Sequence, residues 1–243
     1  MPYDYGILFG NYTQIWKGTF DSKTGLLGNS KYYEGNNWNY SFRLLADMEA
    51  RIELAGGMNA MIALLDEFFG YSREPVQLGD LFLVTSWPDL RAYIDGQHSF
   101  EGFNNEPDME TPYNYIFVDR HDRLCEIKRA CVKYIFSDGR GGMPGNNDAG
   151  GLSACHIWNV LGIFPVAGQN LMLIGSPSVE RAKIHLASGS TLEIVTHNNT
   201  VENIYVNRVV LNGRNITDYR FTATEMMQGG ILEFYMSNEV RSL

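Results

Sequence analysis

Ser153-Ala154-Cys155-His156-Ile157-Trp158-Asn159-Val160-Leu161-Gly162-Ile163-Phe164-Pro165-Val166-Ala167-Gly168-Gln169-Asn170-Leu171-Met172-Leu173-Ile174 is the stretch where the chain changes character. Its first half repeats apolar residues at spacings of three and four, which predicts a helix over 153–163. Its second half is a short apolar run closed by Gly175-Ser176-Pro177, which predicts a buried strand. Upstream, the helical spacing recurs in Leu44, Leu45, Met48, Ile52 and Leu54. It returns in Met61, Leu64, Leu65 and Phe68, and again in Ile127, Ala130, Cys131, Tyr134 and Ile135. Downstream, Ala182–Leu186 alternates and turns at Ser188-Gly189-Ser190, and Leu192–Val195 ends at His197-Asn198-Asn199. Ile204–Leu211 meets Asn212-Gly213, a hairpin signal, and Gly229-Gly230 precedes Ile231–Tyr235. Helices followed by strands give an α+β class rather than βαβ units. The expected division is a helical part over 1–167 and a small antiparallel sheet or sandwich over 168–243.

The composition narrows the function classes. The chain has 243 residues, 44% apolar and only 19% charged, so it can bury a substantial core. A net charge of -9 without a basic cluster argues against a nucleic-acid surface. No apolar run approaches the roughly 18 residues of a membrane span. Met1-Pro2-Tyr3-Asp4-Tyr5 has neither the basic nor the apolar region of a secretory signal. That leaves the compartment open between a cytoplasmic protein and a chain that begins partway through a longer gene. Cys125, Cys131 and Cys155 are odd in number and lack C-x-x-C spacing, which predicts buried free thiols rather than disulfides or a zinc site.

The chemistry concentrates in three polar loops, each longer than a connection requires. The first is Tyr32-Tyr33-Glu34-Gly35-Asn36-Asn37-Trp38-Asn39-Tyr40-Ser41-Phe42, one carboxylate among aromatic rings and amides. Rings desolvate a carboxylate and favour its protonated form, as a general acid needs. They also offer faces for a sugar to stack on. The plainer role for Glu34 is to cap the helix beginning near Asn39. The second loop, Phe100 to Tyr113, holds four acids, two amides and two prolines, hard oxygen donors of the kind Ca²⁺ takes. Its spacing is not that of an EF-hand, and a solvated acidic turn would read the same way. The third loop, Ser137 to Gly151, carries six glycines but no Gly-Lys-Ser/Thr phosphate signature. Asp148 stands just before a helix, where the dipole favours a carboxylate. It is either a cap or the partner of an acid in a split carboxylate pair, as inverting glycoside hydrolysis requires.

Taken together these loops resemble glycoside hydrolase family 92, the calcium-dependent α-mannosidases. The family's Tyr-x-Glu-Gly-Asn-x-Trp-x-Tyr reads here as Tyr32 to Tyr40, and its Asn-Glu-Pro segment as Phe103-Asn104-Asn105-Glu106-Pro107. Its Gly-Asn-x-Asp-x-Gly reads as Gly145-Asn146-Asn147-Asp148-Ala149-Gly150, followed by Ser153-Ala154 and by Leu161-Gly162-Ile163-Phe164-Pro165-Val166. Order and spacing agree from about residue 20 to 236.

The resemblance implies a calcium-assisted inverting hydrolase of terminal α-linked mannose. It places Glu34 as general acid and Asp148 as general base. Asn146 falls where some members carry a second, assisting Asp. Glu106, with Asn105, falls at the calcium, and Trp38, Asn36, Asn104, Asp108, Glu110 and Asn147 are the candidate sugar contacts. Where α-1,2-specific members continue with a His-rich stretch after Asn-Glu-Pro, this chain reads Asp108-Met109-Glu110-Thr111-Pro112, so the linkage does not carry over. Members of the family are often periplasmic or secreted. The family enzyme is also about three times longer, with an N-terminal sandwich and a complete (α/α)₆ toroid. This chain therefore corresponds to its C-terminal third: half a toroid and the terminal strands. Half a toroid leaves apolar helix faces for a second copy or a separate N-terminal domain to cover. Two other readings stay open, an inactive piece of such an enzyme and a non-catalytic carbohydrate-binding module.

Overall fold

The computed structural model describes residues 20–21, 23–24, 26–28, 37–43, 45, 47–71 and 105–241. A short antiparallel pair, β1 (Phe20–Asp21) and β2 (Leu26–Leu27), precedes three helices: α1 (Asn37–Ser41), α2 (Met48–Ala55) and α3 (Met58–Phe69). The sequence dictates their ends. Asp47 accepts the Ala50 amide as an N-cap, and Gly56 and Gly70 close α2 and α3 in the left-handed conformation. The predicted stripe of α3 is seen, with Met61, Leu65 and Phe68 buried and Leu64 half-buried. The helix expected from Leu44 begins only at Met48, because Asp47 caps it there.

Two 3-10 segments, Glu106–Asp108 and Thr111–Val118, lead into α4 (His121–Tyr134). After the glycine-rich loop comes a third 3-10 turn, Asp148–Gly150, and then α5 (Gly151–Leu161). Gly162, at φ 76°, ends α5 so tightly that a Cβ there would sit 2.7 Å from Pro177. The chain then passes into β3 (Ile163–Pro165), which pairs antiparallel with β4 (Met172–Ile174).

The remaining elements are β5 (Arg181–His185), β6 (Thr191–His197), β7 (Tyr205–Leu211), β8 (Arg214–Ile216), β9 (Arg220–Phe221), α6 (Ala223–Gln228) and β10 (Gly230–Ser237). They form a three-stranded sheet, β3-β4-β9, and a five-stranded sheet, β5-β6-β10-β7-β8. The class is α+β, as expected, but the larger sheet is mixed rather than purely antiparallel. β10 lies between β6 and β7, antiparallel to β7 and parallel to β6. The reason is geometric. β6 and β7 run in opposite directions without pairing, so a strand filling the gap between them must be parallel to one. Alternation reports which face a residue takes, not which way its strand runs. The Asn212-Gly213 hairpin is as predicted: both residues have positive φ, as a type I′ turn requires, and Leu211 pairs with Arg214. Asn212 also fixes the entry of β10, accepting from the Ile231 amide at 2.8 Å. A Cβ at Gly230 would lie 1.9 Å from the same Oδ1, so only glycine fits.

The chain buries two apolar clusters. One joins α2, α3 and α4 around Phe42, Met61, Leu65, Phe68 and Tyr115. The other fills the space beneath the sheets around Ile194, Val209, Leu232 and Phe234. α4 serves both, with Cys131 in the first cluster and Cys125 in the second. All three cysteines are buried and free, as the spacing predicted.

Two polar joints bind helices to sheet. The Glu126 carboxylate accepts from Tyr71 at 2.8 Å and from Tyr205 at 2.7 Å, linking α4 to β7 and to the turn after α3. Burial raises the pKa of this carboxyl even though both hydroxyls favour its charge. The second joint is His121, stacked on Tyr219 at 3.6 Å. Its Nε2 lies 2.8 Å from the Ile174 carbonyl, which only accepts, so Nε2 carries the proton. Nδ1 is then free to accept from the Cys125 thiol at 3.4 Å. Among the described residues, no helix is long and apolar enough to cross a membrane.

Burial pushes the His121 pKa down to about 4. Between that value and the ordinary 6.5, the unfolded chain binds the proton and the folded chain does not. Stability from this residue is therefore full above pH 6.5 and falls as pH drops towards 4, by on the order of 3 kcal/mol. Urea unfolding across pH 4–7 should show that loss, and His121→Gln should flatten it.

Candidate active site

Glu34, Asn36 and Asn104 lie outside the described residues. The remainder of the three loops can be placed. The first reaches the described region as α1. Trp38, half-buried, stacks on Phe68 at 6.4 Å, anchoring α1 to α3. Asn39 points inward, and its Nδ2 lies 3.1 Å from both carboxylate oxygens of Asp108. Both side chains are buried. Beside them, Asn114 Nδ2 donates to the Phe42 carbonyl at 2.9 Å and to the Thr111 carbonyl at 2.8 Å. Paired polar groups thus bind the first loop to the second.

The second loop is a tight turn. Asn105 Oδ1 caps it by accepting from the Glu106 amide at 3.0 Å, with Pro107 in the first turn. The Met109 amide closes it on the Glu106 carbonyl at 3.2 Å. Asp108 turns into the protein, while Glu106 and Glu110 are half-buried at its rim. Beneath the turn lies a residue that motif reading passed over. Lys128 of α4 is buried and donates to the Met109 carbonyl at 3.2 Å. Its ammonium stands 4.3 Å over the Tyr113 ring. Burial lowers its pKa to about 8, with the nearby Cys155, Cys131 and Glu110 pulling the other way. The signal was in the sequence: Leu124, Ile127, Lys128, Cys131 and Ile135 share one helical stripe, so Lys128 occupies a core position.

The third loop is shaped by left-handed residues. Asn147 (φ 61°), Ala149 (φ 49°) and Gly150 (φ 86°) reverse the chain just before α5. Gly150 occupies the N-cap position of that helix, and Asn147, not Asp148, supplies the side-chain acceptor to its first turn, its Oδ1 accepting from the Ser153 amide at 2.8 Å. Asp148 and Asn146 are exposed beside the helix start. The second and third loops meet at Gly151. A methyl group there would lie 3.8 Å from Glu106 Oε1 and 3.6 Å from Met109 Cε. The second loop therefore touches the first, at Asn39–Asp108, and the third, at Gly151.

Among the described residues, no group of three or more His, Cys, Asp or Glu side chains could by itself hold a metal. Two oxygen donors of the kind a hard cation takes stand in the turn. Glu106 is a half-buried carboxylate with no hydrogen-bond or ion-pair partner among the described residues, and the Asn105 Oδ1 beside it already serves as a cap.

A family model for the glycosyl hydrolase family 92 catalytic domain matches residues 10–238. The chain belongs to glycosyl hydrolase family 92. An uncharacterized secreted glycosidase of Arthroderma benhamiae is 27% identical over 213 residues, 86% of this chain and 24% of that protein. Among solved structures, a family GH92 inverting mannosidase of Bacteroides thetaiotaomicron superposes with a TM-score of 0.75 at 22% identity. It covers 92% of this chain and 32% of its own. A GH92 α-mannosidase from the same organism gives 0.72 at 22%, over 92% and 30%. At these identities the structures show the shared fold. The chain spans about a quarter to a third of the length of the relatives it matches.

The Asn39–Asp108 tie can be tested directly. Asn39→Ala leaves a buried carboxylate without its amide donor, which should cost about 2 kcal/mol. Urea denaturation should show this as a lower midpoint at unchanged slope.

Proposed function

We propose that this chain carries the catalytic loops of an α-mannosidase that removes terminal α-linked mannose from glycans by calcium-assisted inversion. Supporting this is the convergence of the loops. Asn39 lies five residues beyond Glu34 and is bonded to Asp108, while Glu106 lies against the start of α5 beside Asp148. In this reading Glu34, within its ring-rich loop, protonates the departing glycosidic oxygen. Asp148, exposed at the helix start, takes a proton from water as that water attacks the anomeric carbon from the opposite face. The C–O bond to the leaving group breaks, a C–O bond to water forms, and an α-linked substrate yields β-mannose. Asn146 positions the water but, as an amide, shares no charge with the base.

Glu106 and Asn105 would hold Ca²⁺, which when bound supplies chelation of two adjacent sugar hydroxyls such as the cis 2,3-diol of mannose. Trp38, Asn36, Asn104 and Glu110 would line the sugar. Asp108 and Asn147, with carboxylate and amide engaged by Asn39 and Ser153, would contribute through the shape they hold. The helices α1–α5 would form part of an (α/α)₆ toroid. Met58 on α3 and Ile157 on α5 are large apolar side chains left exposed. A second copy or a separate N-terminal domain would cover such faces, and light scattering of the isolated chain should show a dimer.

The deciding experiment is turnover of aryl α-mannosides or mannobiose with and without a chelator, with the first product's anomer read by NMR. Calcium-dependent release of β-mannose is expected. Glu34→Gln should abolish turnover of poor leaving groups while sparing binding, and Asp148→Asn should slow all substrates by about 10²–10⁴. Sugar binding without turnover would identify a binding module instead. Retained kinetics in Glu34→Gln would remove its acid role.

A further inference from the structure

A lysine in an apolar core is an expensive choice: a Leu or Met would fill the same volume without desolvating a charge. Lys128 is buried. Its ammonium donates to the carbonyl of Met109, 3.2 Å away, with the Tyr113 face at 4.3 Å and Phe164 at 5.7 Å. That carbonyl belongs to the residue that closes the Glu106–Asp108 turn and touches the Gly151 position of α5. Tyr113 continues the path, its hydroxyl donating to Asn159 of α5 at 3.1 Å. Lys128 thus bears on the turn from below while Asn39 holds Asp108 from the side.

We propose that Lys128 is the positioning residue of the sugar site, its buried ammonium fixing the Met109 carbonyl and with it the height of Glu106 against α5. The inference rests on the assignment of the 105–110 turn to that site. Lys128 touches no reacting atom in this scheme. It acts by holding three closely spaced carboxylates, Glu106, Asp108 and Glu110, in one arrangement. A buried cation serves this better than a neutral group, because its hydrogen bond is charge-assisted and its charge is opposite to that of nearby Glu110.

The test compares the full chain with Lys128→Met, which keeps the aliphatic shape, Lys128→Arg, which keeps charge and donor, and Lys133→Met on the exposed side of α4. Three quantities are read: the thermal midpoint, amide hydrogen exchange at Asp108 and Met109, and the Kd for an aryl α-mannoside. Lys128→Met should keep a single cooperative thermal transition. It should speed exchange at the two amides about tenfold and weaken mannoside binding about as much, the loss expected of one charged-donor hydrogen bond. Lys128→Arg should restore protection in part, and Lys133→Met should leave exchange at the two turn amides unchanged.

Unaltered exchange in folded Lys128→Met overturns the proposal. So does uniformly faster exchange with a lowered midpoint in both Lys128 variants, which would make the residue a packing element. Failure of both to fold counts the same way. If Lys128→Met alone fails to fold, folded Lys128→Arg decides: kept protection at the turn supports the proposal and lost protection overturns it. If the parent chain binds no mannoside, the mannosidase reading fails by itself, and the exchange results still decide whether Lys128 holds the turn.

Discussion

The amide of Asn39 against the carboxylate of Asp108 is the contact on which the site's geometry turns. The two residues are 69 positions apart, and both are buried. A buried carboxylate without donors would be strongly disfavoured, so wherever Asp108 goes its partner must follow. α1 is only five residues long and could not hold itself together in isolation. It is kept in place by Trp38 on α3, by Asn39 on Asp108, and by the Phe42 carbonyl accepting from Asn114. The rest of the site inherits its position from the 105–110 turn, since that turn also meets α5 at Gly151.

The same logic operates at the boundary between helices and strands. α4 has two apolar aspects and presents one to each cluster, so the helical and sheet regions share a single rigid rod. Glu126 and His121 pin that rod with hydrogen bonds to Tyr71, Tyr205 and the Ile174 carbonyl. Each bond is long-range in sequence and satisfies a group that would otherwise be buried unpaired. The sheets, which contribute no candidate catalytic residue, still bear on the candidate site: they hold α4, and α4 carries Lys128, which donates to the Met109 carbonyl of the acidic turn.

How much of this could be read beforehand depended on the range of the interaction. Local rules succeeded. The stripe of Met61, Leu65 and Phe68 located α3, and Asn212-Gly213 located a turn whose two residues both need positive φ. The motif loops were recognisable because their residue types are chemically unusual at that density. Non-local facts were not legible. Nothing in Ile231–Tyr235 says that β10 will enter between β6 and β7 and lie parallel to one of them. A helix cap was one of two readings of Asp148, but the side chain bonded to the first turn of α5 is Asn147, reaching six residues ahead from a left-handed turn that composition does not encode. Lys128 was visible as a misfit on an apolar stripe, yet its purpose emerged only with the fold, because Met109 approaches from another element.

The three loops divide rigid from open parts in a way that suits the proposed chemistry. Groups that are spent on structure (Asn39, Asp108, Asn114, Asn147, Lys128) are buried or hydrogen-bonded to backbone. Groups that the hydrolytic reading needs at the surface, Asp148 and Asn146, are exposed, and Glu106 sits between the two sets with its carboxylate uncommitted among the described residues. A water-activating carboxylate must keep contact with solvent, and a cation-binding carboxylate must not be satisfied by protein donors. Both must nevertheless be held to within a fraction of an ångström, which their own exposed loops cannot do. The buried layer beneath them supplies that precision. On this view a substitution in the layer would disturb the sugar site without touching sugar, and the glycines and left-handed residues around Asp148 serve to bring an exposed side chain up against a fixed floor.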